Sequence, residues 1–471
     1  MAVSGKTSQR LFRARLERMI DQLKSEIQSG ALASGDFLPS ESALAEQFGL
    51  SNKSVRQGLD QLVGEGLIRK IPRVGNQVTE AVKEHHTTVT LGINSSLERD
   101  MAMSALLESF MRRYPSVRVQ TITIPGNSRQ FVKEYTESAH LDAFIMNHQF
   151  YQEMEESGLL STLEPLHPAE GAYRLLVEGF TADGVLYGQP LLFSPIVLCY
   201  NKDHFRDAGL PEPDSGWTWR ECAEQGRKLT QERERFGFVF FEMSANRWPV
   251  FLLQSGMTFS LNRSGVCDIE GTPMLEAIRQ CDRIIHDPRL FPRLLTESND
   301  DIGRLFVTGK VSMMMTSYMS LNELKHTGIR YDISPLPYVR EPRTLTVAMA
   351  ASIRKSSANK QAARLLVDYL ISEEAQMLIR RQTLSIPALK SAAEAAVQDE
   401  WNRPRGFDLF RDILPSMRFH RDLNLTNAGF GQLWDILKAY WSHMIDEAAL
   451  CSQIRERVSD RVRRGGAKPG R

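Results

Sequence analysis

The sequence predicts a multidomain α/β protein: a winged helix-turn-helix at the amino terminus, then a two-lobed α/β domain. Three observations predict it. Helical periodicity in residues 1–80 closes in a hairpin pattern, strands alternate with helices from Thr88 onward, and 471 residues are too many for one ordinary core.

The first element follows from Leu16, Ile20, Leu23 and Ile27, which line one face of an amphipathic helix ended by Gly30. A second helix starts behind Pro39 with Ser40 as N-cap, turns Leu44 and Phe48 inward and stops at Gly49. After the turn Gly49-Leu50-Ser51, Ser51 caps a third helix. Its Val55, Leu59, Leu62 and Val63 face one way and Lys53, Arg56, Gln57 and Asp60 the other. A helix pair with a tight glycine turn lets the second helix project polar side chains into a major groove. Leu67 to Ile71, the corner Pro72-Arg73-Val74-Gly75 and Asn76-Gln77-Val78 then read as a hairpin, the wing.

The charge supports a nucleic-acid partner locally rather than globally. The formal net charge is only +1, yet in the first 24 residues Lys6, Arg10, Arg13, Arg15, Arg18 and Lys24 stand against Glu17 and Asp21. Arg461, Arg463, Arg464, Lys468 and Arg471 make the carboxyl terminus basic, and residues 456–471 are expected to be a disordered tail. Apolar residues at 42% and charged residues at 24% are the shares of an ordinary globular protein. Met1 to Arg18 lack the apolar run of a signal peptide and no later stretch reaches the length of a membrane span, so a cytoplasmic protein without a membrane partner is expected. Cys199, Cys222, Cys267, Cys281 and Cys451 form no CxxC pair, which argues against disulfides and a zinc site.

Residues 38–70, LPSESALAEQFGLSNKSVRQGLDQLVGEGLIRK, resemble the winged helix of the GntR family of repressors. The resemblance rests on Leu38-Pro39-Ser40-Glu41, Leu44-Ala45, Gly49, Ser51, Val55-Arg56, Leu59, Leu62 and Glu65-Gly66-Leu67-Ile68. It implies contact with double-stranded operator DNA through Ser40, Ser51, Asn52, Lys53, Ser54 and Arg56, with Arg73 and Gly75 from the wing. It also implies a homodimer, which would read two half-sites about one DNA turn apart. The family usually has Arg where Ser42 and Asn52 stand, and Gly with Thr or Ser where Arg73 and Asn76 stand.

In the large domain, Val89 to Ile93 reads as a strand, residues 101–113 as a helix, and Val117 to Ile124 and Leu141 to Ile145 as further strands. Residues 183–229 then resemble the signature of family-one extracellular solute-binding proteins, the carbohydrate-binding subunits of ABC importers. The words that carry this are Tyr187-Gly188-Gln189-Pro190, Tyr200-Asn201-Lys202, Phe205, Ala208-Gly209-Leu210-Pro211 and Thr218-Trp219. Phe306 to Met314, Ser334 to Pro337, Ala350 to Ile353 and Ala362 to Leu378 follow in the family's order. The resemblance implies a periplasmic-binding-protein-like (type II) domain with ligand enclosed between two lobes, most simply a mono- or oligosaccharide.

A sugar asks for flat aromatic faces against its C–H surface and for amide, carboxylate or guanidinium groups on its hydroxyls, on loops that follow strands. In the first lobe these are Asn94, Ser95, Asn127, Asn147, His148 and Tyr151, and at the crossing Phe193 and Ser194. In the second lobe they are Glu242, Asn246, Trp248, Ser317, Tyr318 and Trp434.

The division expected is a DNA-binding domain at 1–80, a linker at 81–87 and a sensor at 88–455. Lobe 1 takes about 88–194 and 340–387; lobe 2 takes about 195–339 and 388–455. His85-His86 reads as solvated linker, Met313-Met314-Met315 as core, and Trp217-Thr218-Trp219 as helix-start packing. No metal, cofactor or catalytic residue is assigned, and no phosphate-binding Gly loop, HExxH or GxSxG occurs. An aminotransferase-like enzyme would need a pyridoxal-binding lysine motif, which is absent. The reading is a transcriptional regulator whose operator affinity a small solute controls; the alternative is an importer's carbohydrate-binding subunit with no regulatory role.

Overall fold

Ser51 shows how local chemistry builds the first domain. In the computed structural model, which describes residues 4–28, 31–72, 74–79, 86–124, 141–292, 298–397 and 401–463, its Oγ accepts the N–H of Ser54 at 3.3 Å and so starts helix α3. Helix α1 spans Ser4–Gln28, α2 Glu41–Phe48 and α3 Asn52–Gly64. Ser40 caps α2 by accepting the N–H of Ala43, and Gly49 ends it in the left-handed region at φ 62°. A side chain would be strained there, which is why glycine turns the corner between the helices.

Strands β1 (Ile68–Ile71) and β2 (Gly75–Val78) pair antiparallel with Ile68 opposite Val78, forming the wing. Met19, Ile20, Leu23, Ile27, Leu44, Val55, Leu59, Leu62, Ile68 and Val78 close one core of their own. Burying each such side chain is worth about 1.5–3 kcal/mol against leaving it in water.

The large domain is organised by one strand. β3 (Thr87–Ile93), β4 (Val117–Thr123) and β5 (Ala143–Asn147) are parallel, with β3 in the middle. The thirteen-residue β6 (Gln189–Asn201) is buried along its whole length. Its first half pairs antiparallel with β10 (Thr344–Ile353), which also pairs with β5. Its second half pairs with β8 (Val311–Ser317), and β8 lies parallel to β7 (Phe236–Val239). β9 (Tyr331–Ser334) adds to the same half of β6. One strand thus serves two lobes.

Pro195 sits at the change of partner, opposite Thr346, while Ile196 is already opposite Ser317. Proline has no N–H to give a ladder, so a central strand tolerates it where pairing switches. The Ser194 Oγ there accepts the N–H of Tyr318 at 2.6 Å, and Thr344 Oγ1 donates to the Ile196 carbonyl at 2.6 Å.

Several boundaries differ from the sequence reading. The helix at 101–113 is two pieces, Leu97–Met101 and Met103–Arg113, because Ala102 takes a left-handed conformation at φ 53°. The family-like stretch Ala362 to Leu378 falls on two helices, Lys360–Leu370 and Glu373–Gln382, the second capped by Ser372. β3 begins at Thr87, inside the expected linker, and residues 81–85 of that linker lie outside the described residues.

The carboxyl end also departs. Residues 388–393 return to lobe 1, where the N–H groups of Ala388 and Leu389 donate to Gln376 Oε1 and Leu389 bridges to Ala172. The large domain runs on through Glu447–Arg457 to Val462, which bridges to Leu425, while Arg463 pairs with Glu156 at 2.8 Å. Those partners make residues 456–463 part of the fold and not a tail; 464–471 lie outside the described residues. The five cysteines are free and buried, and no helix of the described residues is long and apolar enough to cross a membrane.

Candidate functional site

The DNA-facing candidates fall on one side of α3. Ser51, Asn52, Lys53, Arg56 and Gln57 are exposed while Val55 and Leu59 are wholly buried. Arg56 Nε pairs with Glu41 at 2.6 Å and Lys70 Nζ with Asp60 at 2.5 Å. Exposed pairs of this kind contribute about 0–1 kcal/mol, so a phosphate can replace either carboxylate at little cost. Ser40 is exposed and its hydroxyl caps α2; Gly75 opens β2.

Ser54 differs from its neighbours: it is buried and its Oγ lies 2.7 Å from that of Ser51. Its geometry is that of a helix-start brace, not of a group turned to DNA. Arg73 lies outside the described residues.

The ligand candidates follow the strand ends. β3 and β5 end side by side, so Asn94, Ser95, Asn147 and His148 share one edge of lobe 1. β7 and β8 are neighbours in lobe 2 with Val239 opposite Met314, and the 240–248 loop after β7 reaches back to β8 through the bond from Arg247 to the Met315 carbonyl. Asn94 Oδ1 accepts from the Ser96 N–H and hydroxyl, Ser95 is exposed, and Asn147 Oδ1 caps the next helix through the Phe150 N–H. In lobe 2, Asn246 and Glu242 are half-buried; burial pushes the Glu242 carboxyl upward. Ser317 is buried with its Oγ 3.0 Å from that of Ser320.

Four candidates are built into the interior. Phe193 is wholly buried edge-on to Tyr173 and Phe410. Ser194 and Tyr318 bond each other across the lobe junction, and the Tyr318 hydroxyl donates to the Phe407 carbonyl at 2.9 Å. Tyr151 is buried beside Phe180 at 5.3 Å. The alternation of β6 could not separate junction packing from a cleft wall, since every residue of that strand is covered.

His148 stacks on Phe419 at 3.9 Å, and burial, with Arg421 nearby, holds its imidazole well below the usual range, so it is neutral. Next to Phe419, His420 Nε2 lies 2.8 Å from the Ala245 carbonyl. Residues 419–420 therefore join the His148 edge of lobe 1 to the 240–248 loop of lobe 2. Trp248 stacks on Trp434 at 5.4 Å and 11° between planes. Trp434 and Glu242 line one open groove of about 550 Å³ together with Lys438, His286 and His443. Asn127 lies outside the described residues.

Sequence reasoning missed the charges between the lobes. Arg99 Nη1, after β3, donates to Glu323 at 2.6 Å and Asp300 at 3.1 Å in lobe 2, while its Nε holds Asp100 at 2.8 Å. A Cβ on Gly303 would lie 2.2 Å from Glu323 Oε2, so the absence of a side chain there lets the carboxylate reach Arg99. Arg247, in the 240–248 loop, is 2% exposed and donates to the carbonyls of Met315 and Asn246 at 3.3 Å. Burial lowers its pKa to about 10, still fully charged at neutral pH. A guanidinium has five donors, so two carbonyl bonds leave capacity for an oxygen-rich ligand. In the sequence Arg99 and Arg247 look like ordinary surface charges; no local signal separates them from Arg112 or Arg233.

Comparison with known proteins adds lineage to this geometry. Residues 105–405 match the family of bacterial extracellular solute-binding proteins, and residues 16–78 match the bacterial regulatory proteins of the gntR family. A binding protein of Brucella abortus is 23% identical over 323 residues, 66% of this chain and 78% of the relative. The HTH-type transcriptional repressor NagR of Bacillus subtilis is 42% identical over 67 residues, 14% of this chain and 28% of the repressor. Among solved structures, an ABC substrate-binding protein from Listeria monocytogenes in complex with cycloalternan superposes with a TM-score of 0.67 at 19% identity. It is matched over 98% of its length and covers 80% of this chain.

Proposed function

Since the chain belongs to the family of bacterial extracellular solute-binding proteins and carries in front of that domain the winged helix of the gntR family, we propose that it is a cytoplasmic transcriptional regulator whose grip on operator DNA responds to a carbohydrate held between its lobes. The observation that carries this is the covalent union of a DNA-reading helix with a two-lobed receptor in one chain. A receptor tied to operator DNA works where the DNA is, which supports the cytoplasm.

Lobe closure around a solute is a two-state change, and a homodimer whose winged helices face two half-sites would convert it into altered spacing. A coupling of about 1–3 kcal/mol gives a roughly five- to 150-fold change in DNA affinity. For the solute, the polar edge of Asn94, Ser95 and Asn147 would face Arg247, Asn246, Glu242 and Ser317. The oligosaccharide-bound relative of the same fold supports a sugar, and amide, carboxylate and guanidinium groups are what hydroxyls require. The roles are binding ones; no catalytic step is assigned.

The test uses the full chain. A thermal-shift screen against mono- and oligosaccharides identifies the effector, because a ligand bound only by the folded state raises the melting temperature. Operator binding is then titrated with and without it. A saturating saccharide that leaves operator affinity unchanged would defeat the regulatory reading, and the absence of any saccharide shift would defeat the choice of ligand.

A further inference from the structure

The groove beside Trp434 holds a set of ligating side chains. Asp282 and His286 stand one helical turn apart at the end of the helix Pro273–Ile285, so both project to the same side. His443 follows the helix Asn427–Trp441 and meets them from the opposite wall. One donor atom from each of the three lies within 4.8 Å of the others. The imidazoles of His286 and His443 meet edge-to-face with centroids 4.3 Å apart, and His286 Nδ1 is 3.0 Å from Asp282 Oδ1.

We propose that Asp282, His286 and His443 form a binding site for a borderline divalent cation of the zinc type. Two imidazole nitrogens and one carboxylate oxygen are the donor set such ions prefer over magnesium or calcium, which take oxygen alone. Tetrahedral coordination with bonds of about 2.0–2.1 Å puts donors about 3.4 Å apart. An ion would draw the donors together from the present spread of up to 4.8 Å, and the exposed His443 is the ligand least held by packing.

Asp282 is partly covered, at 22% side-chain exposure, and the His286 Nδ1 beside its Oδ1 also lies 3.0 Å from the Asp282 carbonyl, which holds the His286 ring against this carboxylate. His443 is the left-handed residue, at φ 55°, that ends the helix Asn427–Trp441, with the Met444 N–H bonded to the Ala439 carbonyl at 2.9 Å, and it lines the groove.

Three protein ligands leave a coordination position open toward the groove, where Glu242, Lys438 and Trp434 also stand. The ion would staple the helix Pro273–Ile285 to the end of the helix Asn427–Trp441. The carboxyl-terminal helices are already tied to the same helix once, by Arg279 and Glu447 at 2.5 Å.

The test is zinc binding by the untagged, chelator-stripped full chain, followed by calorimetry, with Co(II) as a spectroscopic probe of imidazole ligation. The wild-type chain should take up one equivalent, show visible Co(II) bands, and melt at a higher temperature with Zn(II), reversibly with chelator. His443→Asn keeps a residue that tolerates the left-handed backbone, and His286→Gln keeps the size of the side chain; each should weaken Zn(II) binding by about tenfold or more. Circular dichroism confirms that the variants fold. No zinc uptake by the wild-type chain, or uptake that neither folded variant weakens, overturns the site.

Discussion

Arg99 of the first lobe and Glu323 of the second are joined at 2.6 Å, across 224 residues of sequence. The same guanidinium holds Asp100 and Asp300, so one cation gathers carboxylates from both sides of the lobe boundary. Arg99→Ala should leave them facing each other unneutralised. Removing one partner of a fully buried pair costs roughly 3–5 kcal/mol; with Arg99 at 32% side-chain exposure the expected loss is about 1–2 kcal/mol. Thermal denaturation of the full chain, read as a fall of a few degrees, checks this. An unchanged melting point would mean that the ion pair contributes nothing.

The same cluster predicts a pH dependence. Burial pushes the Glu323 carboxyl up to about 7, helped by the hydrogen bond with Asp300 and opposed by Arg99. In the unfolded chain the group titrates near 4.5. The folded state holds the proton more tightly, so this contribution to stability is fully present below pH 4.5 and is lost as pH rises through about 7. Glu323→Gln cannot ionise and should flatten that part of the melting-temperature profile. Superimposable profiles of the two proteins across this window would exclude the assignment.

On the proposed DNA-binding surface, Lys53 and Arg56 stand exposed on α3. Replacing Lys53 by Ala should weaken operator binding and lower the slope of log affinity against log salt by about 0.9 for each phosphate no longer neutralised, with the melting curve unmoved. Fluorescence anisotropy at several salt concentrations measures both. Arg56→Ala also frees Glu41, whose repulsion of phosphate adds to the loss. Should the slope stay as in the parent chain, Lys53 does not touch phosphate.

Ser51→Ala tests the cap of the same helix. The hydroxyl accepts the Ser54 N–H and braces its hydroxyl at 2.7 Å, so a loss of about 1 kcal/mol is expected in the first domain. Chemical denaturation followed by helix dichroism would detect it, and a shift smaller than the error of the midpoint would count against the cap.

Ser194→Ala addresses the junction. It removes the acceptor of the buried Tyr318 N–H, an unsatisfied group that costs about 1–3 kcal/mol. A denaturation midpoint that does not fall would show that another group takes over the bond.

Much of this protein was readable because its signals are local. The caps at Ser40 and Ser51, the turn at Gly49 and the apolar faces of α1 and α3 each depend on residues within a turn or two of one another, so chain order alone reveals them. The α/β character of the large domain was readable for the same reason. The helix break at Ala102 and the partners of Val462 were not. The first is a single backbone conformation, and the second is a pairing across 37 residues with Leu425.

The sequence by itself therefore determined the two folds, the exposed basic face of α3 and the strand ends that carry the candidate ligand residues. Only the tertiary structure decided which polar residues meet: that Phe193, Ser194 and Tyr318 are spent on joining the lobes, that Arg99 reaches Glu323, and that His443 arrives beside His286. Periodicity records which face of a helix or strand is covered. It carries no record of what covers it, because that depends on how distant segments pack and how buried charges find partners.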